Sequence, residues 1–201
     1  MKSSQLFRLA GWSAYMSVAD MFGGGIVGIL FIPGPLAKLE NLTTIALALS
    51  MLPLALVLHQ LYRKIWPGVI LAATLLGVVA MLTAAANKFL VFIDAISSEG
   101  VADVLASLTF TFIGVWLVVV GYLGWCSRIP STTGPAGVAV IAGMGMVLGT
   151  TGFLISEPPP LWALAGGGVT IVAYPIWAIS MGRWLLRQPS TNQIAESVIV
   201  S

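Results

Sequence analysis

Six apolar stretches, each long enough to cross a bilayer, constrain this chain more than any other feature. Crossing about 30 Å of hydrocarbon takes roughly 20 mainly apolar residues in a helix. The stretches Leu9–Ile32, Leu42–Tyr62, Trp66–Ala86, Val104–Trp125, Val138–Ile155 and Leu161–Gly182 meet that need. The breaks between them carry turn chemistry: Pro33-Gly34-Pro35, Arg63-Lys64, Trp66-Pro67-Gly68, Arg128-Ile129-Pro130 through Gly134-Pro135, and Glu157-Pro158-Pro159-Pro160. Only 8% of the 201 residues are charged while 58% are hydrophobic, too few polar groups to cover a surface in water. The expected architecture is all-α: a polytopic membrane bundle of six transmembrane helices over residues 1–187, with a polar tail at 188–201. The seven tryptophans suit belts at the membrane interfaces.

The first stretch does not read as a cleaved leader, because Asp20 interrupts it and no clean small-x-small site follows. Basic residues give the expected orientation. Lys2, Arg8, Arg63, Lys64, Arg128, Arg183 and Arg187 fall on one side of six alternating spans, against Lys38 and Lys88 on the other. Cytoplasmic loops retain positive charge, so both termini are expected in the cytoplasm. The connection Asn87–Asp103 alternates Phe89, Leu90, Phe92, Ile93 and Ile96 with polar residues, which fits a short interfacial helix or an overlong third helix.

Helices in lipid associate through small residues, because lipid tails are as apolar as leucine. The first span carries Ser13, Ser17, Asp20, Gly24 and Gly28 at helical spacing. The fourth carries Ser107, Thr111, Gly114, Gly121 and Gly124, and the fifth Gly145, Gly149 and Gly152. These faces should turn towards neighbouring helices or partner subunits. Pro53 and Pro175 mark bends within the second and sixth spans.

Asp20 is the foremost candidate for chemistry, since an acid at mid-membrane costs about 2.5–3.5 kcal/mol on insertion scales. Two readings are open: a site for an ion or polar ligand, with Ser17 and Ser13 assisting, or a carboxyl that ties helices together. Tyr174 and Trp177 beside Pro175 suit either a ligand-lining wall or aromatic packing around a kink. His59, Cys126, Asn87 and Lys88 read as residues of helix ends, Lys88 snorkelling to headgroups. One histidine and one cysteine make no ordinary zinc site. The glycine triplets at 23–25 and 166–168 lack the strand and the lysine of a phosphate loop. No cofactor is called for, and a net charge of +2 gives no reason to expect nucleic acid.

A spaced set of residues resembles a bacterial family of small six-helix integral membrane proteins known only as a domain of unknown function. The set is Arg8-Leu9-Ala10-Gly11, Gly121-Tyr122-Leu123, Ser127-Arg128-Ile129-Pro130, Pro175-Ile176-Trp177 and Gly182-Arg183. The resemblance spans most of the chain on soft motifs. It implies the six-helix fold and a bacterial inner membrane, and no reaction or catalytic residues. Asp20 and the Asn87–Asp103 connection have no counterpart in it. The expected function is that of a non-enzymatic multi-pass protein, an accessory packing subunit or a membrane-embedded binding protein. A small transporter using Asp20 is the alternative, and a lipid-acting membrane enzyme the second. Expected partners are membrane lipid and, through the glycine faces, other membrane subunits or further copies of the chain.

Overall fold

Where lipid is the solvent, a backbone must satisfy its own polar groups, and this chain does so with helices. The computed structural model describes residues 3–30, 37–97, 99–127, 130–156 and 158–188. Among them run α1 (Ser3–Leu30), α2 (Ala37–Tyr62), α3 (Pro67–Phe92), α4 (Val101–Cys126), α5 (Pro130–Ile155) and α6 (Leu161–Arg187), with no strand. A helix of 26 residues, such as α3, rises roughly 39 Å at 1.5 Å per residue, close to a bilayer with its headgroups. Helices α2 to α6 are long and apolar enough to cross a membrane. Helix α1, which is 28 residues long, lies against α2 and α6.

The helices form a closed ring in chain order, each packed on the next and α6 returning to α1. Neighbours run antiparallel. Along the α4–α5 seam Gly114 meets Gly143 while Gly121, two turns on, meets Ala136, so one chain ascends as the other descends. The start of α1 and the end of α6 therefore share one end of the bundle with the ends of α2 and α4. We call the opposite end distal.

Helices outrun the apolar stretches: α2 starts at Ala37, α5 at Pro130, and α3 continues to Phe92. Apolarity marks hydrocarbon depth, whereas a helix continues into the interface while its backbone bonds remain helical. Pro67 and Pro130 sit at first helical positions, where a missing N–H is no loss. Among the described residues between α3 and α4 there is a turn rather than a separate interfacial helix. Asp94 takes φ 57°, and Gly100 takes φ 68° with ψ −116°, a conformation closed to side chains.

Apolar residues occupy both the inside and the outside of the bundle, unlike in a water-soluble protein. The centre holds Leu54, Leu58, Met81, Leu117, Trp116 and Trp177, while Leu71, Leu75, Val79 and Leu82 of α3 face outward. Five tryptophans lie exposed or half-exposed towards the outside, but Trp116 and Trp177 are core residues packed edge to face at 6.3 Å. That departs from the interfacial role expected of all seven. Trp116 is seated on Gly77 of α3, which leaves room for an indole that no leucine-rich face would admit.

Glycines set the helix spacing. A Cβ at Gly114 would lie 2.8 Å from the Gly143 carbonyl oxygen, at Gly121 2.7 Å from that of Ala136, and at Gly145 2.8 Å from that of Gly166. A Cβ at Gly149 would lie 3.0 Å from the Gly167 amide, and at Gly24 2.6 Å from the Thr43 hydroxyl of α2. Gly28 lies outside the residues whose surroundings are described. Since backbone is what a Cβ at Gly166 would strike, Gly166→Leu should destabilise by about 1–3 kcal/mol, as overpacking does. Gly168→Ala, with nothing within 4 Å, should be neutral or slightly stabilising. Thermal unfolding in mild detergent measures both, and equal losses at the two positions would contradict this packing.

Candidate functional site

Three and four residues apart on a helix means one face, and the α1 serines use theirs inward. Ser13 and Ser17 are buried, and their hydroxyls donate to the Ala10 and Ala14 carbonyls at 2.9 Å each. Backbone donation leaves the Ser17 oxygen as an acceptor, and Tyr174 of α6 uses it: Tyr174 Oη donates to Ser17 Oγ at 2.8 Å. Tyr174 also packs on Trp177 at 5.8 Å, which continues the aromatic contact to Trp116. Ser13, Ser17, Tyr174 and Trp177 thus share the interior at the α1–α6 seam.

Asp20 sits one turn further along α1, half-buried, with the Ser50 hydroxyl of α2 as its polar neighbour. It lies near Tyr174 but belongs to the α1–α2 seam. The structure thus divides the expected constellation: Ser17 and Tyr174 bond directly, and Asp20 faces a second helix.

Immediately distal to Tyr174 a cavity of about 260 Å³ opens between the helices. Met21, Leu47, Met51, Phe110, Met146 and Phe153 form most of its wall, with Gly149, Gly167 and Ile171 completing it. Glycine explains the space: Gly167 projects nothing, and no atom lies within 4 Å of where its Cβ would be. Three polar side chains also line it, Thr150, Thr170 and Tyr174. Each already has partners. Thr150 shares a 2.7 Å hydrogen bond with Thr111 and donates to the Met146 carbonyl at 2.8 Å. Thr170 is within reach of the Ala142 and Gly166 carbonyls at 3.3 and 3.1 Å. A buried water needs two to four polar partners. Every hydroxyl proton in this wall is already donated within the protein, leaving water no donor to bind, so the cavity suits apolar contents.

The remaining candidates are dispersed. Lys88 pairs with Glu40 at 3.2 Å, and Lys38 with Asp94 at 2.6 Å, tying α3 and its turn to the start of α2. His59 is half-buried in the last turn of α2, its Nδ1 without a hydrogen-bond partner. Cys126 is exposed at the end of α4. Among the described residues no three His, Cys, Asp or Glu side chains gather as a metal site would need. The cavity walls Met51, Phe110 and Met146 are not distinguishable in sequence, where they resemble any lipid-facing residue. The small residues beside them, Gly149 and Gly167, carry the only legible signal. A comparison of the chain with known protein families, curated proteins and solved structures finds no match.

The Tyr174–Ser17 bond joins residues far apart in sequence, so it should contribute to stability as a tertiary contact. Tyr174→Phe should cost about 0.5–1.5 kcal/mol. In a double-mutant cycle with Ser17→Ala, unfolding in detergent should show the two costs to be non-additive. Strict additivity would mean that the bond contributes nothing.

Proposed function

We propose that this chain is a non-enzymatic multi-pass protein that binds an apolar molecule, taken from the bilayer, in the cavity distal to Tyr174. One observation carries the reading: a cavity between membrane helices whose polar wall atoms are all hydrogen-bonded within the protein. Water gains little there, and an acyl or isoprenoid segment fills it without leaving a buried donor or acceptor unpaired. At about 260 Å³ it lies just below the roughly 300–1,000 Å³ range of ligand pockets, so it takes part of a chain rather than a whole lipid.

The alternative readings gain less support. The glycine faces that suggested an accessory subunit are largely engaged inside the chain, Gly114 and Gly121 on α5 and Gly145 and Gly149 on α6. Transport through Asp20 would couple the carboxyl to the cavity, but Asp20 is not part of its wall. A lipid-acting enzyme would place a polar cluster at the cavity, where the polar groups are instead held in structural bonds. We place the protein in a bacterial inner membrane, following its resemblance to a family of small six-helix membrane proteins. Both termini are assigned to the cytoplasm, because Arg8, Arg63, Lys64, Arg183 and Arg187 are exposed towards one end.

A diazirine-bearing fatty acid irradiated with the protein in nanodiscs should label Met51, Phe110 and Met146. Filling the space with Met146→Trp should reduce that labelling at least tenfold. Labelling confined to outward residues such as Leu75 and Val79, and unchanged in the variant, would overturn the reading. For the orientation, reporters fused to either terminus should both report cytoplasm, and opposite sides would contradict it.

A further inference from the structure

A buried amide side chain near the distal end points to a second ligand. Asn87, in the last two turns of α3, is 3% exposed. Its Nδ2 donates to the Ala102 carbonyl at 2.9 Å, which fixes the amide and makes Oδ1 the remaining atom. Oδ1 is buried and has no hydrogen-bond partner. Such an acceptor is a liability unless a donor reaches it. Asn87 lines a cavity of about 360 Å³ between the end of α3, the turn after it and the start of α4.

The cavity is amphipathic. Leu90, Ile96 and Leu105 supply apolar wall, and Ser97 and Glu99 a polar rim. The Ser97 hydroxyl accepts the Glu99 amide at 3.2 Å. The charges nearby favour a cation. Lys38 and Lys88 are neutralised by Asp94 and Glu40, whereas Glu99 and Asp103 carry no ion pair among the described residues. Asp103, in the first turn of α4, also offsets the positive end of that helix dipole.

We propose that this cavity binds a primary ammonium group bearing an apolar chain. Its N–H donors would engage Asn87 Oδ1 and the Glu99 carboxylate, and its chain would lie along Leu90, Ile96 and Leu105. The ammonium can belong to a phosphoethanolamine headgroup or to a free alkylamine.

Calorimetric titration of hexylammonium into the protein in phosphatidylcholine nanodiscs, with empty nanodiscs subtracted, tests this directly. Saturable binding is expected. Hexyltrimethylammonium, equal in charge and chain but without N–H donors, should bind at least tenfold more weakly. Asn87→Leu and the exposed-site variant Glu99→Gln should each weaken hexylammonium at least tenfold, the second keeping the test valid if the first fails to fold. Repeating the titration in nanodiscs containing phosphatidylethanolamine separates the sources. Weakened binding supports the proposal with a resident headgroup, and unchanged binding supports it with a free amine. Equal binding of the two ammonium probes, or affinities unmoved by Glu99→Gln and Asn87→Leu, would overturn the site and leave a trapped water as the partner of Oδ1.

Discussion

Backbone laid against backbone holds half of this ring together. In lipid there is no hydrophobic gain from bringing two leucine faces together, so helices must approach closely enough for dispersion to act. Gly114 and Gly143 abut each other's carbonyls across α4–α5, and Gly145 and Gly166 do the same across α5–α6. Three helices therefore stand at a separation that side chains would forbid. The α1–α6 seam repeats the pattern, a Cβ at Gly182 lying 3.0 Å from the Gly11 carbonyl oxygen, and side-chain contacts complete the ring. Trp116 fills the hollow over Gly77, and Tyr174 bonds across to Ser17 on α1.

The cavity is a consequence of the same seam. Small residues that allow contact at Gly145–Gly166 leave volume unfilled beside it, where nothing lies within 4 Å of the Cβ position of Gly167. Methionines and phenylalanines enclose that volume, flexible or flat enough to adapt to varied apolar contents. Because Thr150 and Thr170 bond to helices α4 and α5, the polar atoms near the space serve packing. Polarity with an uncommitted partner occurs elsewhere, at Asn87 near the distal end. The two cavities are thus chemically opposite, one saturated and apolar, the other holding a free acceptor beside unpaired acid.

Much of the architecture was legible in the apolar stretches, and the glycine faces in their spacing of three and four. Which helix each face meets was not legible, since spacing fixes a face and not its partner. Gly166 was visible only as part of a triplet, yet of Gly166, Gly167 and Gly168 it alone turns its Cβ position against a neighbouring helix. Trp116 and Trp177 read as interfacial because tryptophan favours that depth on average, and only the hollow at Gly77 makes the core position possible. Asp20 was conspicuous through its insertion cost, but its neighbour Ser50 is 30 positions away and carries no mark. Asn87 read as a helix end, whereas α3 continues past it to Phe92 and turns its amide into the bundle.

The α4–α5 seam is the central claim, and the Thr111–Thr150 pair, with oxygens 2.7 Å apart, reports on it. In a Cys126→Ser background, Thr111→Cys with Thr150→Cys should form a disulfide within one chain in intact membranes under mild oxidation. The predicted product migrates as a monomer whose mobility shifts on reduction, at every expression level. Failure to cross-link, or a covalent dimer in its place, would contradict the close antiparallel contact on which the ring and its cavity rest.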